Sequence, residues 1–166
     1  CDKVVIDDGP QLEYAVSGTP VDCVKLAVNQ ILERKPDLCV SGINHGSNSS
    51  INVIYSGTMS AAVEGALEEI PSIGFSLLDF SHDADFSEGE QYIRKITASV
   101  LENGLPDGVC LNVNIPKSKD EEKIKGIKIC RQAKANWVEE FDERKDPNGR
   151  TYYWLTGKFV NYDKGD

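Results

Sequence analysis

At 166 residues the chain is long enough for one domain with a sizeable core and too short to need two. Its formal net charge of −9 excludes nucleic acid as a bulk partner, because gripping a phosphate backbone needs clustered Lys and Arg. One small anion in a pocket of N–H groups stays compatible with that charge. No run approaches the roughly 18 apolar residues of a membrane span, and Cys1-Asp2-Lys3-Val4-Val5-Ile6 lacks the basic-then-apolar pattern of a leader, so a cytoplasmic setting is expected.

In chain order, Val4 to Ile6 and Glu13 to Val16 read as two short strands around the turn Asp7-Asp8-Gly9-Pro10. In Thr19-Pro20-Val21-Asp22 the threonine suits an N-cap, the proline a first helical position and the aspartate a first turn. Val24, Ala27, Val28, Ile31 and Leu32 follow at helical spacing, up to Lys35-Pro36-Asp37. Leu38 to Ile43 is a mostly apolar run, expected as a strand buried on both faces. A polar loop precedes a helix over Met59 to Ile70, a buried strand over Ser72 to Leu78, a helix over Glu88 to Asn103 and a strand over Val109 to Ile115. Strands alternating with helices predict an α/β fold, a layered sheet of parallel strands flanked by helices.

The tail has a different pattern. Ile124 to Ile129 reads as a strand. Trp137 to Phe141 and Thr151 to Leu155 flank Asp146-Pro147-Asn148-Gly149, which predicts a protruding β-hairpin. The expected organisation is therefore residues 1–130 as the α/β part and 131–166 as the hairpin with a further segment. The opening in a strand-like run without Met, and the turn-rich close at 161–166, make both ends read as cut.

Of the five cysteines, Cys23, Cys39 and Cys110 sit inside apolar runs and are expected as buried, reduced thiols. Zinc is not expected, with only His45 and His82 available and no Cys pair at finger spacing. His45 is expected to face solvent, no role is assigned to His82, and the acidic run Asp120-Glu121-Glu122 reads as a solvated turn.

The stretch from Val40 to Ser50, continuing to Ile54-Tyr55-Ser56-Gly57-Thr58, leaves a strand at its carboxyl end and enters a helix, which is where open α/β sheets bind ligands. Its glycines, hydroxyls and helix N-terminus suit an anion, and Asn44 and Asn48 bring amides that can face a hard cation or a phosphate. The same composition also builds plain surface loops. It matches no P-loop, no dinucleotide fingerprint and no serine-hydrolase elbow.

Ser17-Gly18-Thr19-Pro20-Val21-Asp22-Cys23-Val24, Pro36 through Asn48, and Val53-Ile54-Tyr55-Ser56-Gly57-Thr58 together resemble the SurE family, as do Leu111 to Pro116 and Tyr152 to Leu155. The resemblance implies a Rossmann-like domain with a hairpin used in oligomers, so a homodimer or homotetramer. It also implies metal-dependent hydrolysis of nucleoside monophosphates or similar phosphomonoesters with Mg or Mn. By the same resemblance Asn44 matches a metal-binding asparagine, and Asn48, Ser56, Gly57 and Thr58 match phosphate-holding positions. The family's acidic pair has no counterpart here. Asp7-Asp8-Gly9 imitates its motif, but Ile6 stands where an Asn belongs and the spacing to Ser17 is short, so a hairpin turn is the reading. The catalytic groups are thus unknown, and two further readings stay open: a nucleotide-binding module without hydrolysis, and a piece inactive for want of acidic metal ligands. The hairpin aromatics Trp137, Phe141, Tyr152, Tyr153 and Trp154 fit an oligomer interface or packing on their own domain, and the resemblance favours the interface.

Overall fold

The computed structural model describes residues 1–6, 9–117 and 124–163. They belong to two compact units, Cys1–Asn48 with Asn52–Lys128, and Ser49–Ile51 with Ile129–Asp166. Asp7, Asp8 and the run 120–122 lie outside the described residues.

In the first unit, β1 (Asp2–Val4) and β2 (Glu13–Ala15) pair antiparallel. Helix α1 (Pro20–Leu26) starts on a reciprocal cap. Asp22 N–H donates to the Thr19 hydroxyl at 3.3 Å, and Thr19 N–H donates to the Asp22 carboxylate at 2.7 Å, which satisfies two helix-end donors at once. The Thr19 hydroxyl also donates to the Asp22 carboxylate at 2.8 Å, and that bond first, with the Thr19 N–H second, holds the Asp22 carboxyl below its ordinary range. The helix continues as a π-turn over Ala27–Ile31.

The sheet consists of parallel strands in the order β3 (Cys39–His45), β4 (Ser72–Leu77), β5 (Cys110–Ile115). Between β3 and β4 lie a 3-10 helix, Ser50–Tyr55, and α2 (Gly57–Leu67); between β4 and β5 lies α3 (Ser87–Asn103). Every residue of β4 is buried, and its alternation sorts them by size. Ile73 and Phe75 join Val100, Ile93 and Ile96 in the core under α3. Ser72 and Gly74 face α2, where a Cβ on Gly65 would come within 2.4 Å of Ser72 Oγ and one on Gly74 within 2.4 Å of Met59 Sδ. Small residues on both sides therefore let α2 approach the sheet closely.

Four expectations need correction. Strand β3 is not buried on both faces: among the described residues it pairs only with β4, and Val40 and Ile43 are 49% and 37% exposed. Residues 124–129 form no strand, since the Ile124 backbone bonds to side chains instead of a ladder, its carbonyl accepting from Tyr92 Oη at 2.7 Å and its N–H donating to Glu88 at 3.0 Å. The thiols are free but not buried: Cys23 is exposed, while Cys39 and Cys110 are half-buried, with burial pushing both thiols up. The loop after β3 also contains helical structure, because a 3-10 turn has too short a period to show in sequence.

The second unit is a ribbon of β6 (Ala135–Lys145) and β7 (Thr151–Asn161), longer than its aromatic cores predict. Asp146 closes the turn, its carboxylate accepting from the N–H groups of Asn148 and Arg150 at 2.8 Å each. The register places Trp137, Phe141, Tyr153, Leu155 and Phe159 on one face and Tyr152 and Trp154 on the other. Trp137 and Phe159 meet edge-on at 5.5 Å, and Arg144 lies over Trp154. All of these aromatics are exposed in the chain.

Candidate functional site at the carboxyl edge of the sheet

The site begins with an irregularity in β3. Ser41 pairs with Gly74, yet Asn44 rather than Ile43 pairs with Ser76, so one extra residue is inserted between them. In a regular strand, three positions on from Ser41 would face the opposite way; the bulge returns Asn44 to the α2 side of the sheet. Gly42 makes this possible, with a φ of 121° and no room for a Cβ, which would lie 2.4 Å from Phe75 O. Across the sheet Asn44, Ser76 and Asn114 then stand in one row.

Beyond the strand the chain turns back at Gly46, whose N–H donates to Leu77 O at 2.8 Å. Asn48 follows, 1% exposed. Asn44 Nδ2 donates to Asn48 Oδ1 at 3.2 Å and toward Gly46 O at 3.4 Å. That fixes both amides and leaves two atoms over. Asn44 Oδ1 accepts no hydrogen bond among the described residues. Asn48 Nδ2 is a buried donor without a partner among the described residues, a state that costs roughly 1–3 kcal/mol. An oxygen-seeking cation suits the first atom and an anion's oxygen the second. Because Nδ2 is closed off from solvent, an anion reaching it must displace what covers it.

Sequence reasoning missed what holds Asn48. Asn114 Oδ1 accepts from Asn48 N–H at 2.9 Å and from Ser76 Oγ at 3.1 Å, while Asn112 Nδ2 donates to Asn48 O at 2.8 Å. Asn114 Nδ2 in turn donates to Asn112 Oδ1 at 3.0 Å. The signal was present in the strict alternation of Leu111, Asn112, Val113, Asn114 and Ile115, two amides aimed away from the apolar face of a strand.

Ser56, Gly57 and Thr58 open α2. Gly65, late in the helix, lies beside Ser72 and Cys39 at the strand starts, and Met59 lies beside Gly74, so the helix N-terminus heads for the strands' carboxyl ends. Ser56 is the N-cap, its Oγ accepting from Met59 N–H at 3.0 Å and its carbonyl from Ser60 N–H at 2.9 Å. Among the described residues the Ser56 hydroxyl proton has no acceptor, and the first helical N–H groups of Gly57 and Thr58 are likewise available. Position and dipole both favour an anion there. The five expected residues thus fall into two clusters, the Asn44–Asn48 pair and the start of α2, that share one edge of the sheet.

His45 is exposed and meets Phe86 edge-on at 4.9 Å, on the α3 side, away from this row. His82 is exposed in a connecting loop. Two residues past β4, Asp79 accepts from Ser81 N–H at 3.0 Å and pairs with Lys117 at 2.9 Å, and these bonds, Ser81's first, hold its carboxyl below the usual range. No three His, Cys, Asp or Glu side chains gather as a metal site among the described residues. Asn44 Oδ1 fits one position in the oxygen shell of a hard cation, but the described residues do not complete that shell.

The family model described as survival protein SurE matches residues 3–139. The chain is 67% identical over 164 residues to the protein named 5′-nucleotidase SurE of Flavobacterium psychrophilum, covering 99% of this chain and 63% of that one. It is 68% identical over 166 residues to the one so named in Christiangramia forsetii, covering 99% and 64%. It thus spans a little under two thirds of the length of these relatives. The crystal structure of the SurE protein from Aquifex aeolicus superposes with a TM-score of 0.74 at 42% identity, over 90% of this chain and 60% of that one. With a family model matching most of its length and relatives at this identity, the chain belongs to the SurE family.

Proposed function

We propose that the full-length protein is a phosphomonoesterase of the 5′-nucleotidase type, releasing phosphate from nucleoside monophosphates. One observation supports this reading most: the locked amide pair that leaves an acceptor at Asn44 and an unpartnered buried donor at Asn48, on the edge where α2 presents free N–H groups. In this reading Asn48 Nδ2, the Ser56 hydroxyl and the N–H groups of Gly57 and Thr58 hold the phosphoryl oxygens. The donors at the start of α2, fixed before substrate arrives, stabilise the charge that builds on those oxygens with little reorganisation, whereas reaching the buried Asn48 Nδ2 first requires displacing what covers it.

The names of the relatives support the substrate class. Dependence on Mg²⁺ or Mn²⁺ belongs to the same proposal, with Asn44 as one ligand; when bound, the ion polarises the phosphoryl group. Its carboxylate ligands are not among the described residues, so no step is derived through it. The reduced thiols of Cys23, Cys39 and Cys110 fit a reducing cytoplasm, and no described helix is long and apolar enough to cross a membrane. The apolar face of the hairpin supports a homodimer or homotetramer.

The experiment is phosphate release from AMP by the full-length protein with and without Mn²⁺, beside the 166-residue chain. Metal-dependent release by the first and none by the second is expected, since one neutral amide does not draw a divalent ion out of water. AMP binding without release would favour a nucleotide-binding module. Release by the shorter chain would return Asp7 and Asp8 to consideration as ligands.

A further inference from the structure

We propose that Asn112 and Asn114 are positioning residues of the site, acting on substrate through Asn48. The proposal rests on the phosphomonoesterase reading and deepens it by naming what sets the phosphate-binding geometry. Among the described residues Asn48 has no backbone partner for its N–H or its carbonyl; both are satisfied by side chains from β5, 66 and 64 residues further on. Those two side chains also bond to each other. Asn114 is anchored a second time by Ser76 Oγ, from the central and fully buried strand. The clamp therefore ties the loop to the central, fully buried strand of the sheet.

The arrangement is specific in a way that mere loop closure is not. Asn114 Oδ1 accepts twice and its Nδ2 donates once, which requires one amide orientation. Asn112 Nδ2 then grips the Asn48 carbonyl. With both ends of the Asn48 peptide held, and its Oδ1 held by Asn44, the only polar atom left over is Nδ2. The network ends in an unpartnered donor, and fixing the direction of that donor is what the clamp accomplishes. A group held in the right direction before substrate arrives acts more strongly on the transition state than on the ground state, so its displacement should fall on kcat as well as KM.

The test is a double-mutant cycle in the full-length protein with AMP as substrate. Asn114→Ala removes the Asn48 N–H acceptor, and Asn48→Ala removes the donor it aims. Each should lower kcat/KM by roughly tenfold, as expected for losing one hydrogen bond to a charged group. If Asn114 acts through Asn48, the double variant should fall no more than about twofold below Asn48→Ala alone, because coupled residues are not additive. Native-state hydrogen exchange should show the Asn48 backbone amide losing protection in Asn114→Ala while the β4 amides keep theirs. Should Asn114→Ala fail to melt cooperatively, the exposed Asn112→Ala gives the same cycle. Multiplicative losses in an active protein would overturn the positioning role and leave the functional reading standing. A full-length protein that releases no phosphate from AMP would overturn both.

Discussion

The two faces of the central strand divide the labour of the first unit. Toward α3, Ile73 and Phe75 lie in a continuous apolar core; toward α2, Ser72, Gly74 and Ser76 are small and mostly polar, and they are equally buried. Burial alone thus does not tell the faces apart. On the first face burial removes apolar surface from water, worth roughly 25 cal/mol per Å². On the second it brings a helix N-terminus and three strands' polar side chains close together. The strand's own large apolar side chains therefore stabilise one side only, while the candidate chemistry lies on the other, where the apolar burial is supplied by Met59 and Ala62 of α2.

The strongest way to break this comparison is Phe75→Ala. Phe75 is 1% exposed, and truncating a buried Phe costs about 3–5 kcal/mol. Chemical denaturation should show that loss, while kcat/KM for AMP in the full-length protein stays within about twofold at a temperature where the variant is folded. A large kinetic effect without instability would mean that the α3 face also serves the site.

Gly65→Ala strikes the other face. The new methyl would lie 2.4 Å from Ser72 Oγ and 3.0 Å from Cys39 Cβ, and the Ser72 hydroxyl is tied to Ile70 O at 2.7 Å. With no soft neighbour to yield, the helix must lift, at about 1–3 kcal/mol for overpacking. Unlike Phe75→Ala, this variant should also depress turnover, because Ser56 to Thr58 move with the helix. Ser56→Ala is milder in stability, about 0.5–2 kcal/mol for a lost cap, and should lower kcat/KM by roughly one decade if the hydroxyl also donates to a charged oxygen. If the melting temperature falls and the kinetics do not move, Ser56 is a cap and nothing more.

The order of helices and parallel strands was legible because helically spaced segments alternate with short, mostly apolar runs between Pro20 and Ile115. The burial of β3 was not, since an apolar run such as Leu38 to Ile43 reads the same at a sheet's edge as at its centre. The bulge was equally hidden: that Asn44 and not Ile43 faces α2 depends on Gly42 adopting a positive φ beside Phe75 O, a tertiary constraint. Asn44, Asn48, Ser56, Gly57 and Thr58 stood out from the composition and position of their loop, but their roles came from a family resemblance and stay proposals. Asn112 and Asn114 show the opposite case, where the alternation was visible but the partner, 64 to 66 residues away, could not be.

The smallest expected effect concerns Asp79, which lies just past β4 where the two faces meet the carboxyl edge. Its carboxylate accepts from Ser81 N–H and pairs with a Lys117 that is itself 57% exposed, and its ionisation is thereby favoured in the folded state. A folded pKa below the unfolded one means that the stabilisation is complete above the unfolded value of about 3.9. It is then lost as pH falls from there through the folded value. Asp79→Asn keeps an acceptor for Ser81 but gives up the charge. The variant should melt below the wild type at neutral pH, and the gap should close as pH drops below about 4. High salt should narrow it too, since an exposed lysine is screened. Turnover at neutral pH should be unchanged, because Asp79 supports the edge without belonging to the row of Asn44, Ser76 and Asn114. A gap that persists at low pH would assign the effect to packing, and a fall in kcat at neutral pH would move Asp79 into the site itself.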